Sequence, residues 1–198
     1  PKDQLGVPGV DYLAAGVPNL LRHLDNLKNQ FGLPVCVAIN AFPTDSAEEH
    51  DYLRQVCAER GVPCALSEVF AKGGEGGKEL ARAVLDILDE GARVRFTYPD
   101  EAPLADKVLA VCQKIYRAKD VTWSAAARKA LDEITAQGYG NLPVCIAKTQ
   151  YSFSDNAALL AAPEDFVMNV RDVRLSAGAG FVVVIMGNIM TMPGLPKK

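Results

Sequence analysis

One unbroken apolar run constrains this chain more than any other feature. Leu33-Pro34-Val35-Cys36-Val37-Ala38-Ile39 carries no polar side chain. A short run without alternation predicts a strand buried on both faces, as in a parallel sheet covered by helices. The flanking patterns agree. Val17, Leu20, Leu21, Leu24, Leu27 and Phe31 recur at three- and four-residue steps and predict an amphipathic helix that stops at Gly32. Ser46 and Glu49 form a capping-box pattern that opens a helix through Leu53, Val56 and Cys57, ending at Gly61. Pro63 to Val69 reads as a second strand, and Leu80, Ala81, Val84, Leu85 and Leu88 as a third helix closed by Gly91. The order helix–strand–helix–strand–helix predicts an α/β class with a parallel sheet layer covered by helices.

Beyond Tyr98 the pattern changes. Helices are expected over about Leu104 to Tyr116 and Ser124 to Ala136, with Trp123 packing at a helix start. Pro143 to Ala147 follows as an apolar strand, then a polar loop, then strands near Phe166 to Leu175 and Phe181 to Met186. This is the order of a smaller α+β domain. Pro99 and Pro103 flank acidic residues at the change, so the expected domains are 1–98 and 99–198.

Composition excludes several function classes. A net charge of −3 leaves no broad positive surface for nucleic acid. No apolar run approaches the roughly 20 residues that cross a bilayer, and Pro1 to Val10 lacks the features of a signal peptide. The five cysteines (Cys36, Cys57, Cys64, Cys112, Cys145) form no CxxC pair, and His23 and His50 stand apart from them. Structural zinc therefore has no ligand set, and free, mostly buried thiols in a reducing cytoplasm are expected.

Ligands of open α/β sheets bind beyond the carboxyl ends of the strands. Two segments occupy that position here. In Asn40-Ala41-Phe42-Pro43-Thr44-Asp45, Phe42 either offers a stacking face to a ligand ring or plugs the strand–helix junction, the second being favoured on these residues alone. In Ser67 to Gly77, Gly73, Gly74, Gly76 and Gly77 permit close approach of a ligand, and Lys72 adds a point charge suited to an anion; a flexible turn is the alternative. Neither segment is a GxxxxGK[ST] phosphate loop. Lys148 to Asp155 is a donor-rich loop that fits a capped turn as well as a site. Ser176 to Gly180 reads as a turn between strands, and Met186, Met190 and Met192 as packing residues.

Taken together, these segments resemble the formate–tetrahydrofolate ligase family. The resemblance rests on Gly16-Val17-Pro18-Asn19-Leu20 with His23, on Val37 to Phe42 with Thr44-Asp45, and on Leu66-Ser67-Glu68 with Ala71 to Gly77. It continues through Leu142 to Ser152, Ser176 to Phe181 and Ile189 to Pro196, collinear over essentially the whole chain. The resemblance implies the later part of a three-domain enzyme that joins formate and ATP into formyl phosphate and passes the formyl group to N10 of tetrahydrofolate. It implies a pterin clamp at Phe42 and Phe70 with Asn40 beside it, and a nucleotide wall at Leu66, Ser67, Lys72 and Gly73. Family members commonly carry tryptophan where Phe70 stands; phenylalanine keeps the stacking face with less area and no indole N–H.

The family's phosphate loop and the arginine that holds formyl phosphate belong to an N-terminal domain not represented in this sequence. The resemblance therefore implies an N-terminal domain supplied in cis or in trans, and inactivity of this chain alone. It further implies ATP with magnesium and tetrahydrofolate as substrates without a tightly bound cofactor, no catalytic or metal-ligating residue in these 198 positions, a homo-oligomer, and a cytoplasmic setting. The alternative reading is a non-catalytic module for folate binding or subunit assembly.

Overall fold

A computed structural model describes residues 9–187 and Ile189; the expected packing residues Met190 and Met192 lie outside the described residues. The backbone divides into two compact units, Pro1–Arg95 and Phe96–Lys198.

In the first unit Val17, Leu20, Leu21 and Leu24 become the inner stripe of α1 (Val10–Asp25), extended by a π turn over Asn26–Gln30 in which Leu27 is exposed. Leu24, Cys57 and Val62 form a small core, with Leu20, Leu21, Val35, Val37 and Cys64 packed against it. β1 (Val37–Asn40) and β2 (Cys64–Ser67) pair in parallel, with Asn40 opposite Ser67. Between them runs α2 (Ala47–Glu59), and both halves of the capping box form: Glu49 N–H donates to Ser46 Oγ at 3.2 Å, and Ser46 N–H donates to Glu49 Oε2 at 2.8 Å. The glycines expected to end helices, Gly32, Gly61 and Gly91, all carry positive φ.

Two expectations for this unit are corrected. The run Leu33–Ile39 is a strand only from Val37, and β1 is not buried on both faces. Ile39 is buried while Ala38 and Asn40 are exposed, because no second layer covers that side among the described residues. The Ser67–Gly77 segment is not an open loop either. It holds a one-turn helix, α3 (Val69–Lys72), a 3₁₀ turn over Gly73–Gly77, and then α4 (Lys78–Leu88).

The second unit carries α5 (Leu104–Lys114), β3 (Asp120–Trp123), α6 (Ala125–Ile134), β4 (Val144–Ala147), β5 (Val167–Ser176) and β6 (Phe181–Met186). Its four-stranded sheet has the order β3-β5-β6-β4. β5 and β6 are antiparallel across the turn expected at Ser176–Gly180, and each outer strand runs parallel to its neighbour. The core lies between the sheet and two helices: Leu104, Val108 and Cys112 of α5, Ala127, Leu131 and Ile134 of α6, and alternate residues of β5 and β6. β3 was not expected. Trp123 ends that strand, one residue before Ser124 caps α6 through the Ala127 N–H. The cysteines are free, but only Cys57 and Cys112 are buried. Cys36 and Cys64 are half-buried, and Cys145, on the edge strand β4, is exposed.

Candidate functional site

The carboxyl ends of β1 and β2 sit side by side, because the strands are parallel and in register. Beyond β1 the chain is held at once: Ala41 N–H donates to Ser67 O at 3.0 Å and ties the two strand ends together. Phe42 N–H then donates to Asp45 Oδ2 at 2.8 Å, and Asp45 N–H returns to Phe42 O at 3.0 Å, closing a tight turn. His50 Nε2 lies 3.5 Å from the same Asp45 oxygen. The turn leaves the Phe42 side chain outside, 62% exposed, rather than in the strand–helix junction.

Beyond β2, α3 projects Phe70 into solvent at 92% exposure. Two glycines make that shape. Gly73 has φ +58 and ψ −145, a conformation side chains resist. At Gly76 a Cβ would stand 2.5 Å from Glu68 O, and Glu68 N–H donates to Gly76 O at 3.0 Å. The 3₁₀ turn thus folds back onto the end of β2. The glycine density therefore has a structural cause at these two positions, whereas a Cβ on Gly74 would meet nothing within 4 Å. Lys72 Nζ pairs with Glu68 Oε2 at 2.7 Å. Both side chains face water, where such a pair is weak enough to exchange for another anion.

Asn40 and Phe42 from one strand end, and Ser67, Phe70, Lys72 and Gly73 from the other, therefore share one edge of one sheet. Leu66 stands one step back inside β2, half-buried, and Ser67 is buried. A groove of about 310 Å³ runs along β1 beside this edge, lined by Leu13, Leu20, Ile39, Asn40, Asp45 and His50. No group of three His, Cys, Asp or Glu side chains among the described residues could hold a metal ion.

The Lys148–Asp155 loop satisfies itself. Lys148 donates to Thr149 O at 3.0 Å and to Ser152 O, and its ammonium lies 4.8 Å from the Tyr116 ring centroid. Burial pushes the Lys148 pKa down. Ser152 Oγ donates to Leu159 O at 2.6 Å, and Ser154 Oγ to Asn156 O at 3.0 Å. Sequence reading missed the polar chain at the end of this loop: Asp155 Oδ2 accepts from both nitrogens of Asn169, whose Oδ1 accepts from Thr122 Oγ1 at 2.6 Å. These residues border a cleft of about 770 Å³. Only the unrecognised strand β3 brings Thr122 there, so no local signal announces it.

Fold and edge together define an α/β protein with exposed aromatics at its strand ends. The family model for formate–tetrahydrofolate ligase matches residues 1–198. The chain is also 51% identical over 197 residues to the formate–tetrahydrofolate ligase of Paracoccus denitrificans (strain Pd 1222), an alignment covering 100% of this chain and 35% of that relative. The chain belongs to the formate–tetrahydrofolate ligase family, and it spans about a third of the length of this curated relative. Among the described residues, no helix is long and apolar enough to cross a membrane.

Proposed function

We propose that this chain forms the folate-facing part of an ATP-dependent formate–tetrahydrofolate ligase that makes 10-formyltetrahydrofolate. The observation that carries the reading is the pair Phe42 and Phe70, exposed at 62% and 92% on adjacent ends of parallel strands. Large aromatic faces left in water at a strand-end edge suit a flat heteroaromatic ring. In this reading Phe42 and Phe70 clamp the pterin, and the Asn40 amide meets its polar rim. Leu66, Ser67, Lys72 and Gly73 line the neighbouring nucleotide. Residues 1–98 carry these loops and residues 99–198 form the C-terminal domain. Formate, ATP and tetrahydrofolate are substrates, and magnesium arrives on the ATP phosphates, for which it is suited by its preference for oxygen ligands. The phosphate-binding loop and the formyl-phosphate arginine come from another part of the protein, in cis or in trans, so this chain alone does not turn over. A cytoplasmic homo-oligomer belongs to the same reading.

The test is calorimetric titration with tetrahydrofolate, using protein of the family's full length. Phe42→Ala and Phe70→Ala should each weaken binding by about 5- to 30-fold, roughly 1–2 kcal/mol, without lowering the melting temperature. Unchanged affinity in both variants removes the clamp. The second reading, a non-catalytic folate-binding or assembly module, is favoured by the absence of a GxxxxGK[ST] motif in these 198 residues. Folate binding without turnover, once the complementary part is present, would select it.

A further inference from the structure

We infer, resting on the clamp reading just given, that Asp45 is a positioning residue: it holds Phe42 outward through the main chain, and through Phe42 it sets tetrahydrofolate affinity. With 62% of its surface in water, the Phe42 ring gets little direction from packing. Its direction comes from the backbone, because φ and ψ aim the Cα–Cβ bond and decide which rotamers are open. Asp45 grips that backbone on both sides. Its Oδ2 accepts the Phe42 N–H at 2.8 Å, and its own N–H donates to Phe42 O at 3.0 Å. The two bonds hold the peptide groups that flank the Phe42 Cα. The first is charge-assisted, and so stronger than a bond between neutral groups. Pro43, inside the turn, removes a further degree of freedom by fixing its own φ.

Asp45 is itself held. On one side of the turn, Ala41 N–H donates to Ser67 O at 3.0 Å and anchors the chain to β2. On the other, Ser46 caps α2 and donates its N–H to Glu49 Oε2 at 2.8 Å. His50 Nε2, on α2, stands 3.5 Å from Asp45 Oδ2 as a long second contact to the same oxygen. The carboxylate is thus fixed between a strand end and a helix start. An aspartate that only shaped the loop would serve a side chain packed beneath it. Here the residue it orders presents its ring to water, so the order serves whatever meets the ring. A ring aimed before its ligand arrives gives up less freedom on binding.

A double-mutant cycle in the family-length protein tests it, with tetrahydrofolate titration and steady-state kinetics on Asp45→Ala, Phe42→Ala and the double variant. Asp45→Ala should weaken tetrahydrofolate binding about threefold to tenfold and raise its KM in step, while the KM for ATP stays within about twofold. Asp45→Asn keeps an acceptor oxygen for the Phe42 N–H and should recover most of the loss. In the Phe42→Ala background, Asp45→Ala should have no further effect. A loss that adds in full to that of Phe42→Ala overturns the inference, because Asp45 then acts without the ring. Parent-like binding by Asp45→Ala overturns it too, as does an Asp45→Asn variant as weak as Asp45→Ala. Phe42→Ala binding as the parent does is a different failure: it removes the clamp, and the positioning role with it.

Discussion

Lys107 is the side chain whose replacement should damage the second unit most. It lies on α5, only 1% exposed, yet its ammonium is fully engaged. Nζ donates to Asp100 O at 2.6 Å, Asn141 O at 2.8 Å and Leu142 O at 3.2 Å, and stands 5.5 Å from the Tyr98 ring centroid. One cation thereby staples the segment before α5 to the segment before β4. Lys107→Met keeps most of the stem's volume and removes the charge, so packing changes little and three carbonyls lose their donor. Each carbonyl that loses this donor costs up to about 1–3 kcal/mol, and relaxation together with the exposure of Asp100 and Asn141 keeps the total near 3–5 kcal/mol. For a unit of roughly 100 residues that lowers the melting temperature by more than about 12 °C. Trp123 is the chain's one tryptophan and ends β3, so its fluorescence during urea unfolding reports on this unit. The control is Lys129→Met on α6, whose ammonium is exposed and only 3.8 Å from Glu133; it should stay within about 0.5 kcal/mol of the parent. A loss below about 1 kcal/mol for Lys107→Met would refute the staple.

Other consequences are as direct. Gly76→Ala places a Cβ 2.5 Å from Glu68 O; it should cost about 1–3 kcal/mol and open the 68–77 segment to protease. Gly74→Ala should be tolerated, and equal cleavage of the two variants would contradict the geometry. Glu49 receives N–H bonds from Gly9 at 2.9 Å and Ser46 at 2.8 Å, which hold its carboxyl below the usual 4.5. A depressed folded pKa contributes stability above the unfolded value and loses it as pH falls through the folded one. Glu49→Gln should therefore destabilise at pH 7, with the gap to the parent closing below pH 4.5; a gap that widens in acid would disprove the assignment. Burial pushes the Cys64 and Cys112 thiols up to about 12, whereas Cys145 is exposed. Brief alkylation near neutral pH, mapped by peptide mass, should modify Cys145 first.

What the sequence made legible were features whose cause is local. The capping box needs only Ser46 and Glu49, and the stops at Gly32, Gly61 and Gly91 need only a residue that accepts positive φ. What escaped depends on distant partners. β3 is four residues long and has strand character only because β5 pairs with it some 47 residues later. Lys107 looks like an ordinary charge in a helix until Asn141 and Leu142 arrive to accept from it. The candidate site falls between these cases. Its parallel strand ends follow from the element order, which is why the two loops were expected on one edge; the pair Phe42 and Phe70 came from the family resemblance. Their degree of exposure does not follow from it.

The glycine segment shows why. Read locally, Gly73 to Gly77 suggested backbone laid bare for a ligand. In the folded chain, Gly76 allows the 3₁₀ turn to press against Glu68, and Gly73 supplies the reversal between that turn and α3. Their combined effect is to fix a single helical turn at the end of β2 with Phe70 at its outermost point. The glycines therefore act on the proposed site through Phe70, and contact with a ligand need not be their main use. Under this account a Gly76 substitution should weaken folate binding in proportion to the movement of Phe70. A variant that binds folate normally while its 68–77 segment is cleaved freely would separate the two and show that the turn does not position the ring.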